Sequence, residues 1–278
     1  MTVPKIPLGE WIEQGTEWLD ASFGPLFDGI KSAIGGLVGF FEWVLLSGPA
    51  WLWMALFAAL AWWLGRWKFV AFTLLGLGLI VNLGYWDPTM KTLAMVATAA
   101  LISVLLGVPI GIFCSRSNTV QNIVAPILDF MQTMPAFVYL IPAVTFFSLG
   151  VVPGVIASVI FAIPPTIRLT NLGIRQVPVD LMEAASAFGS TSLQKLVKLQ
   201  LPLALPTILA GINQTIMLSL SMVVFASMIG AQGVGAVVYK AVTQVKIGEG
   251  FEAGLAIVIL AIMLDRLTQN ILKTKRKV

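Results

Sequence analysis

The chain is 278 residues long, 58% hydrophobic and only 11% charged, with a net charge of +4. A soluble domain of this size has no use for so much apolar surface, so the composition indicates an all-α polytopic membrane protein. A single cysteine, Cys114, excludes an internal disulfide and a cysteine-cluster metal site, and the absence of histidine removes zinc-protease motifs together with Ser-His-Asp and Cys-His catalysis. No catalytic or metal-binding residues are therefore expected.

Residues 1–47 form an amphipathic N-terminal segment. Ile12, Gly15, Trp18 and Leu19 fall on one helical face with Trp11, while Glu10, Glu13, Glu17 and Asp20 point elsewhere. A second helical pattern runs through Leu26, Phe27, Ile30, Ile34, Leu37, Val38 and Phe41. Both patterns suit the membrane interface, where tryptophan is favoured, and both equally suit packing on the protein's own flank. The acids in the first 20 residues, with no basic cluster ahead of an apolar run, exclude a secretory signal.

Seven apolar spans follow, each near the ~20 residues that a bilayer core requires. Two of them, about 49–65 and 68–84, form an accessory pair within residues 48–84. The other five, about 90–113, 122–148, 151–170, 204–229 and 252–271, belong to a unit covering 85–278. The fourth span carries Asp129, Gln132, Pro135 and Pro142 and is expected to kink or turn back. The glycine-rich stretch 230–251, with Tyr239, Lys240 and Lys246, reads as a loop with room for a short helix dipping into the bundle. There is no internal repeat and no low-complexity linker.

Between the fifth and sixth apolar runs lies a polar interval, about 171–203. Asp180 is placed to cap a first short helix, with Glu183 at capping-box spacing. Ala184, Ala185 and Ala187 favour helix and are small enough for another surface to approach. Gly189 suits the left-handed turn that closes it. Thr191 and Gln194 repeat the capping-box spacing and start a second helix, which Pro202 is expected to stop.

This interval carries a spaced motif: Glu183-Ala184-Ala185, three residues, Gly189, nine residues, the aliphatic Leu199, one residue, then Leu201-Pro202. It resembles the cytoplasmic motif of permease subunits in ATP-binding-cassette importers, with Leu199 where isoleucine is commoner. The resemblance implies that the loop docks on a separate ATPase and transmits its motion to the membrane domain. The chain has no Gly-x-x-x-x-Gly-Lys-Ser/Thr and cannot itself be that ATPase. ATP and Mg are thus expected on the partner, and no cofactor on this chain.

With that loop placed inside, alternate loops put twelve basic residues and three acids on the cytoplasmic side. The other side receives five basic and nine acidic residues, which satisfies the positive-inside bias. The N-terminal segment then lies outside and the C-terminus inside. The basic residues are scattered over loops, so nucleic acid is not an expected partner.

A closer resemblance covers about residues 85–271. Gly84-Tyr85-Trp86-Asp87-Pro88, Met131 through Tyr139, Pro164-Pro165-Thr166-Ile167-Arg168, Gln176-Val177-Pro178 and Ala210 through Met222 look like permeases of the glycine betaine/proline betaine importers. It implies a type I importer core of five spans, preceded by two accessory spans and the amphipathic tail. It also implies a second copy of the permease, two ATPases and an external receptor in a bacterial cytoplasmic membrane. Because the chain ends at Val278, that receptor is expected to be a separate polypeptide. The implied task is uptake of glycine betaine or a related quaternary-ammonium compatible solute under osmotic stress.

Other candidates carry two readings each. Met131, Met134, Phe137 and Tyr139 around Pro135 offer a soft aromatic path to a quaternary ammonium, and ordinary helix packing explains them as well. Asn213 and Gln214 suit solute contacts or interhelical hydrogen bonds. Asp129 suits an ion-coupling carboxylate, or an interface group paired with Arg116. If Asp129 coupled an ion, the chain would be a secondary transporter without any ATPase. A permease of the same class for another small solute is the other alternative.

Overall fold

The structure, a computed structural model, describes residues 7–64 and 67–275, and no strand occurs among them. The helices are α1 (Leu8–Leu46), α2 (Ala50–Leu64), α3 (Trp67–Asn82), α4 (Trp86–Arg116), α5 (Asn118–Thr133), α6 (Leu140–Phe147), α7 (Val151–Arg175), α8 (Val179–Ala187), α9 (Ser192–Lys195), α10 (Leu201–Ser227), α11 (Val234–Thr243) and α12 (Ile247–Lys275). A 3₁₀ turn occupies Ala136–Tyr139 and a π turn Leu196–Gln200. Arg66, Arg276 and Lys277, which entered the charge distribution, lie outside the described residues.

α7 sits at the centre, packed between α4 and α10. Lipid tails are as apolar as leucine, so helices in a bilayer gain by approaching closely rather than by escaping water. Small residues permit this approach. Gly111 of α4 lies against α7 so tightly that an added Cβ would stand 2.6 Å from Thr170 Cβ and 2.7 Å from the Ile167 carbonyl oxygen. On the other flank Thr215 of α10 donates to the Ala162 carbonyl at 2.7 Å. Its single proton is then used, so Thr166 is the donor in the 2.8 Å contact between the two threonine hydroxyls. These bonds lie beside Pro164 and Pro165, which supply no N–H to the carbonyls of Ile160 and Phe161.

The fourth expected span is broken. α5 and the 136–147 segment meet at 108°. Pro135 keeps Met134 extended, at ψ 138°, so α5 ends at Thr133. Tyr139 Oη donates to the Met131 carbonyl at 2.5 Å and satisfies one of the carbonyls that the end of α5 leaves without a helical partner.

Five helical stretches among the described residues are long and apolar enough to cross a bilayer, six if the bent pair counts as one span. They include α4, α7, α12 and the continuous stretch Ser192–Ser227. The accessory spans expected at 49–65 and 68–84 are the shorter helices α2 and α3, of 15 and 16 residues. They pack on each other and on α12, with Gly76 of α3 against Ile259.

The two helical patterns of the N-terminal segment are one helix of 39 residues with Pro25 inside it. At 1.5 Å per residue α1 is about 58 Å long, nearly twice a hydrocarbon core of ~30 Å. Its first half leaves Trp11 and Trp18 exposed. Its second half is anchored: Phe27 packs on Phe146 and Phe147, Lys31 Nζ donates to Ser148 Oγ, and Ile34 and Val38 are buried with the start of α4 and of α7. α1 thus meets the end of the bundle opposite the Glu-Ala-Ala loop. At that end the 230–251 stretch forms α11, whose first N–H, on Val234, is capped by Thr92 of α4 at 2.9 Å.

Gly111→Val should lower the thermal midpoint of the purified chain by several degrees, since overpacking a closed interface costs about 1–3 kcal/mol. Gly39→Ala in α1, with open space around it, should not lower the midpoint in the same detergent, because alanine is the better helix former.

Candidate functional site

The loop singled out by its motif is two short helices joined by a turn of fixed geometry. α8 closes with Gly189 at φ +77°. The Gly189 N–H donates to the Ser186 carbonyl at 2.9 Å and the Ser190 N–H to the Ala185 carbonyl at 3.0 Å. That pair of bonds is the Schellman arrangement, and it needs the left-handed conformation that glycine adopts without strain. α9 opens with a reciprocal capping box: Thr191 Oγ1 accepts from the Gln194 N–H at 3.3 Å, and Gln194 Oε1 accepts from the Thr191 N–H at 2.8 Å. Lys195 Nζ donates to Ser186 Oγ at 3.0 Å and links the two short helices directly.

Two expectations for this loop need correction. α8 begins at Val179 after Pro178, so Asp180 is inside the first turn and caps nothing, and Glu183 lies in the second turn. Pro178, extended at ψ 134°, fixes the start two residues earlier than a cap at Asp180 would. Pro202 does not stop the second helix. The π turn widens the backbone just ahead of it and α10 runs on, with Pro202 in its first turn, where a missing N–H is tolerated.

The loop is joined firmly to the bundle. Leu196, buried in the π turn, packs with Ile174 of α7 and with Ala204 and Ile208 of α10. Arg116 Nη2, at the end of α4, donates to the Ser192 carbonyl at 3.2 Å. Arg175 Nη2 donates to the Cys114 carbonyl at 2.8 Å, tying the ends of α7 and α4 together. A push on α8–α9 therefore reaches α4, α7 and α10.

The outward side of the loop is apolar and open. Phe188 is 91% exposed, and Val179 and Leu193 are also exposed. Beside them lies a concavity of about 440 Å³ lined by Leu181, Ala185, Gly189, Gln194, Lys198 and Leu199. Glu183 and Ala184 stand exposed on α8, Pro202 is exposed, and Leu199 and Leu201 are half-buried where the loop enters α10. The tip thus presents an aromatic side chain beside a shallow groove. It offers no general acid, base or nucleophile pair for chemistry. Sequence reasoning missed Phe188 and Leu196; their signal was apolar residues standing in an otherwise polar interval.

The substrate-path candidates are not gathered into one site. Tyr139 is buried and its hydroxyl is spent on Met131, while Phe137 is exposed. Met131 packs with Cys114 and Leu128, whereas Met134 packs with Tyr139 and Met222. Asn213 Nδ2 donates to Asp265 Oδ1 at 2.8 Å and its carbonyl accepts from Thr268, so it joins α10 to α12. Gln214 is exposed. Asp129 pairs with Arg168 of α7 at 2.5 Å rather than with Arg116, whose guanidinium reaches Ser192 instead.

At the opposite end, a concavity of about 410 Å³ lies between the start of α4 and α11, with Tyr85, Asp87, Lys91, Lys240 and Glu249 on its walls. Tyr85 Oη donates to Glu252 at 3.2 Å. Burial, reinforced by that bond, raises the Tyr85 phenol above its ordinary value, so it stays protonated as a donor.

Residues 107–273 match the family described as "Binding-protein-dependent transport system inner membrane component". Across 99% of its length the chain is 59% identical to the glycine betaine transport system permease protein OpuAB of Bacillus subtilis, covering 97% of that protein. It is 55% identical to the glycine betaine/carnitine transport permease protein GbuB of Listeria monocytogenes, over 96% of both chains. Identity to the glycine betaine/proline betaine transport system permease protein ProW of Escherichia coli is 46%, over 98% of this chain and 77% of that one. Among solved structures, an inward-facing MetNI methionine ABC transporter shares the fold at a TM-score of 0.60 and 21% identity, over 66% of this chain and 92% of the other. The chain belongs to the family of inner-membrane components of binding-protein-dependent transport systems.

Proposed function

We propose that this chain is the membrane permease subunit of an ATP-driven importer for glycine betaine or a related quaternary-ammonium solute. It is a transport component and not an enzyme. The observation that carries the reading is the α8–α9 loop, with an exposed apolar tip on one side and rigid attachments to α4, α7 and α10 on the other. The solute class is supported by the names of the relatives that match nearly the whole chain. The pairing of Asp129 with Arg168 leaves no unpaired carboxylate there for ion coupling, which speaks against a secondary transporter.

In this reading two copies of the permease pair with two cytoplasmic ATPases, which bind ATP and Mg, and with an extracytoplasmic receptor. The Glu183–Pro202 loop faces the cytoplasm of a bacterial inner membrane. α1, which contacts the opposite end of the bundle, lies outside with the N-terminus. Closure of the ATPases pushes α8 and α9 and opens the cavity outward, and hydrolysis resets it inward, an exchange between two packed states. The small-residue contacts along α7 let neighbouring helices move as packed bodies.

Reconstituted with its ATPase and receptor, the chain should accumulate labelled glycine betaine only with ATP present. Uptake should survive collapse of the proton gradient, and choline or proline in excess should compete less well than unlabelled betaine. Accumulation by the permease alone on an ion gradient would contradict the reading.

Gly189→Val forces a β-branched residue into the left-handed region, where strain of about 1–2 kcal/mol costs roughly five- to thirtyfold in population of the correct turn. No neighbour lies within 4 Å of its Cβ, so the backbone alone is tested. Glu183→Lys reverses an exposed charge on the docking side of α8. Both variants should reach the membrane at normal abundance while transport and receptor-stimulated ATP hydrolysis fall together. Wild-type rates in assembled complexes of both would reduce the loop to a connector.

A further inference from the structure

Next to the docking loop, the ends of α4, α5 and α7 enclose a cavity of about 480 Å³ that the transport reading does not use. From α5 come Val124, Ala125 and Leu128 beside Gln121 and Asp129, and from one face of α7 come Arg168, Leu172 and Arg175. Seven residues separate the arginines, about 10 Å of helical rise, so both reach the same side.

Their partners leave positive charge over. Arg168 is paired with Asp129. Arg175 makes no ion pair among the described residues; Nε donates to Asn171 Oδ1 at 2.9 Å and Nη2 to the Cys114 carbonyl at 2.8 Å, both neutral acceptors. Those two bonds hold the guanidinium in one orientation and leave further N–H donors unused. Arg175 is exposed, so its remaining donors are open to an anion at the cavity mouth. An anion that carries its own hydrocarbon would also cover the exposed Ala125 and Leu172 and the half-buried Val124.

We infer that this cavity is a binding site for the phosphate group of an anionic phospholipid, with Arg175 as the principal contact and an acyl chain along α5. Basic pockets between membrane helices on the cytoplasmic side take headgroups of this kind. A free phosphate would use the same guanidinium but has no use for the apolar wall. The inference is independent of which solute is carried, and its test contains no transport step.

Native mass spectrometry of the detergent-solubilised chain, titrated with phosphatidylglycerol or phosphatidylcholine, reads the site directly. Phosphatidylglycerol should be preferred, and Arg175→Gln should cut that preference about fivefold, the effect of one basic residue at the membrane surface. Arg175→Lys should keep most of it. Ala125→Trp, at an exposed position on the apolar wall, should displace the lipid while both arginines remain, which separates ligand loss from misfolding. Equal binding of the two lipids, or an unchanged preference in Arg175→Gln, would overturn the proposal. Displacement of phosphatidylglycerol by inorganic phosphate, beyond that by chloride at equal ionic strength, would overturn the lipid assignment in favour of a soluble anion.

Discussion

The bundle is organised by the close approach of α4 and α10 to the central helix α7. Water is absent from the bilayer core, so backbone carbonyls without a helical donor must find partners inside the protein. Pro164 and Pro165 are buried within α7, and beside them Thr215 and Thr166 place a hydroxyl chain on the Ala162 carbonyl. That chain requires α10 to lie close against α7, and Gly211 permits it by resting on the Pro165 carbonyl. On the far side Gly111 does the same for α4. The three-helix core thus joins small-residue contacts and a hydroxyl chain to an apolar cluster shared by α4, α7 and α10.

A core held this tightly carries displacement without absorbing it. The π turn at Leu196–Gln200 and the buried Leu196 convert a polar loop into an extension of α10, while Arg116 joins it to α4 and Arg175 ties α4 to α7. The broken span formed by α5 and α6 differs. It is joined to α7 near the docking end by the exposed Asp129–Arg168 pair, and surface pairs contribute only about 0–1 kcal/mol. Stiffness is concentrated in α4, α7 and α10, and the more lightly held segment lies beside them.

Much of this was legible in the residues, for identifiable reasons. Gly189 and the Thr191–Gln194 pair act through local backbone geometry, which sequence spacing encodes, and both stand as expected. Pro135 breaks the fourth span for the same kind of reason. The misread features depend on tertiary context. Pro202 reads as a stop until the π turn places it in a first turn, and Asp180 reads as a cap until Pro178 starts the helix earlier. Asp129 has several arginines within plausible reach by sequence, and only the rotation of α7 selects Arg168. The continuity of α1 through Pro25 was likewise hidden, because two short periodic patterns on either side of a proline look like two helices. The substrate-path residues had no local signature at all, and they lie in separate packing clusters.

The central claim is that the exposed tip between α8 and α9 seats in the ATPase. A cysteine at Phe188, introduced after replacing the buried Cys114 with serine, places a reactive group at the most exposed point of that tip. Short thiol crosslinking in the assembled transporter, against single cysteines on the ATPase surface, tests the contact itself. The account predicts a high-yield crosslink to one groove of the ATPase, retained with and without nucleotide. No crosslink to any ATPase position in a fully assembled, transport-active complex would contradict it.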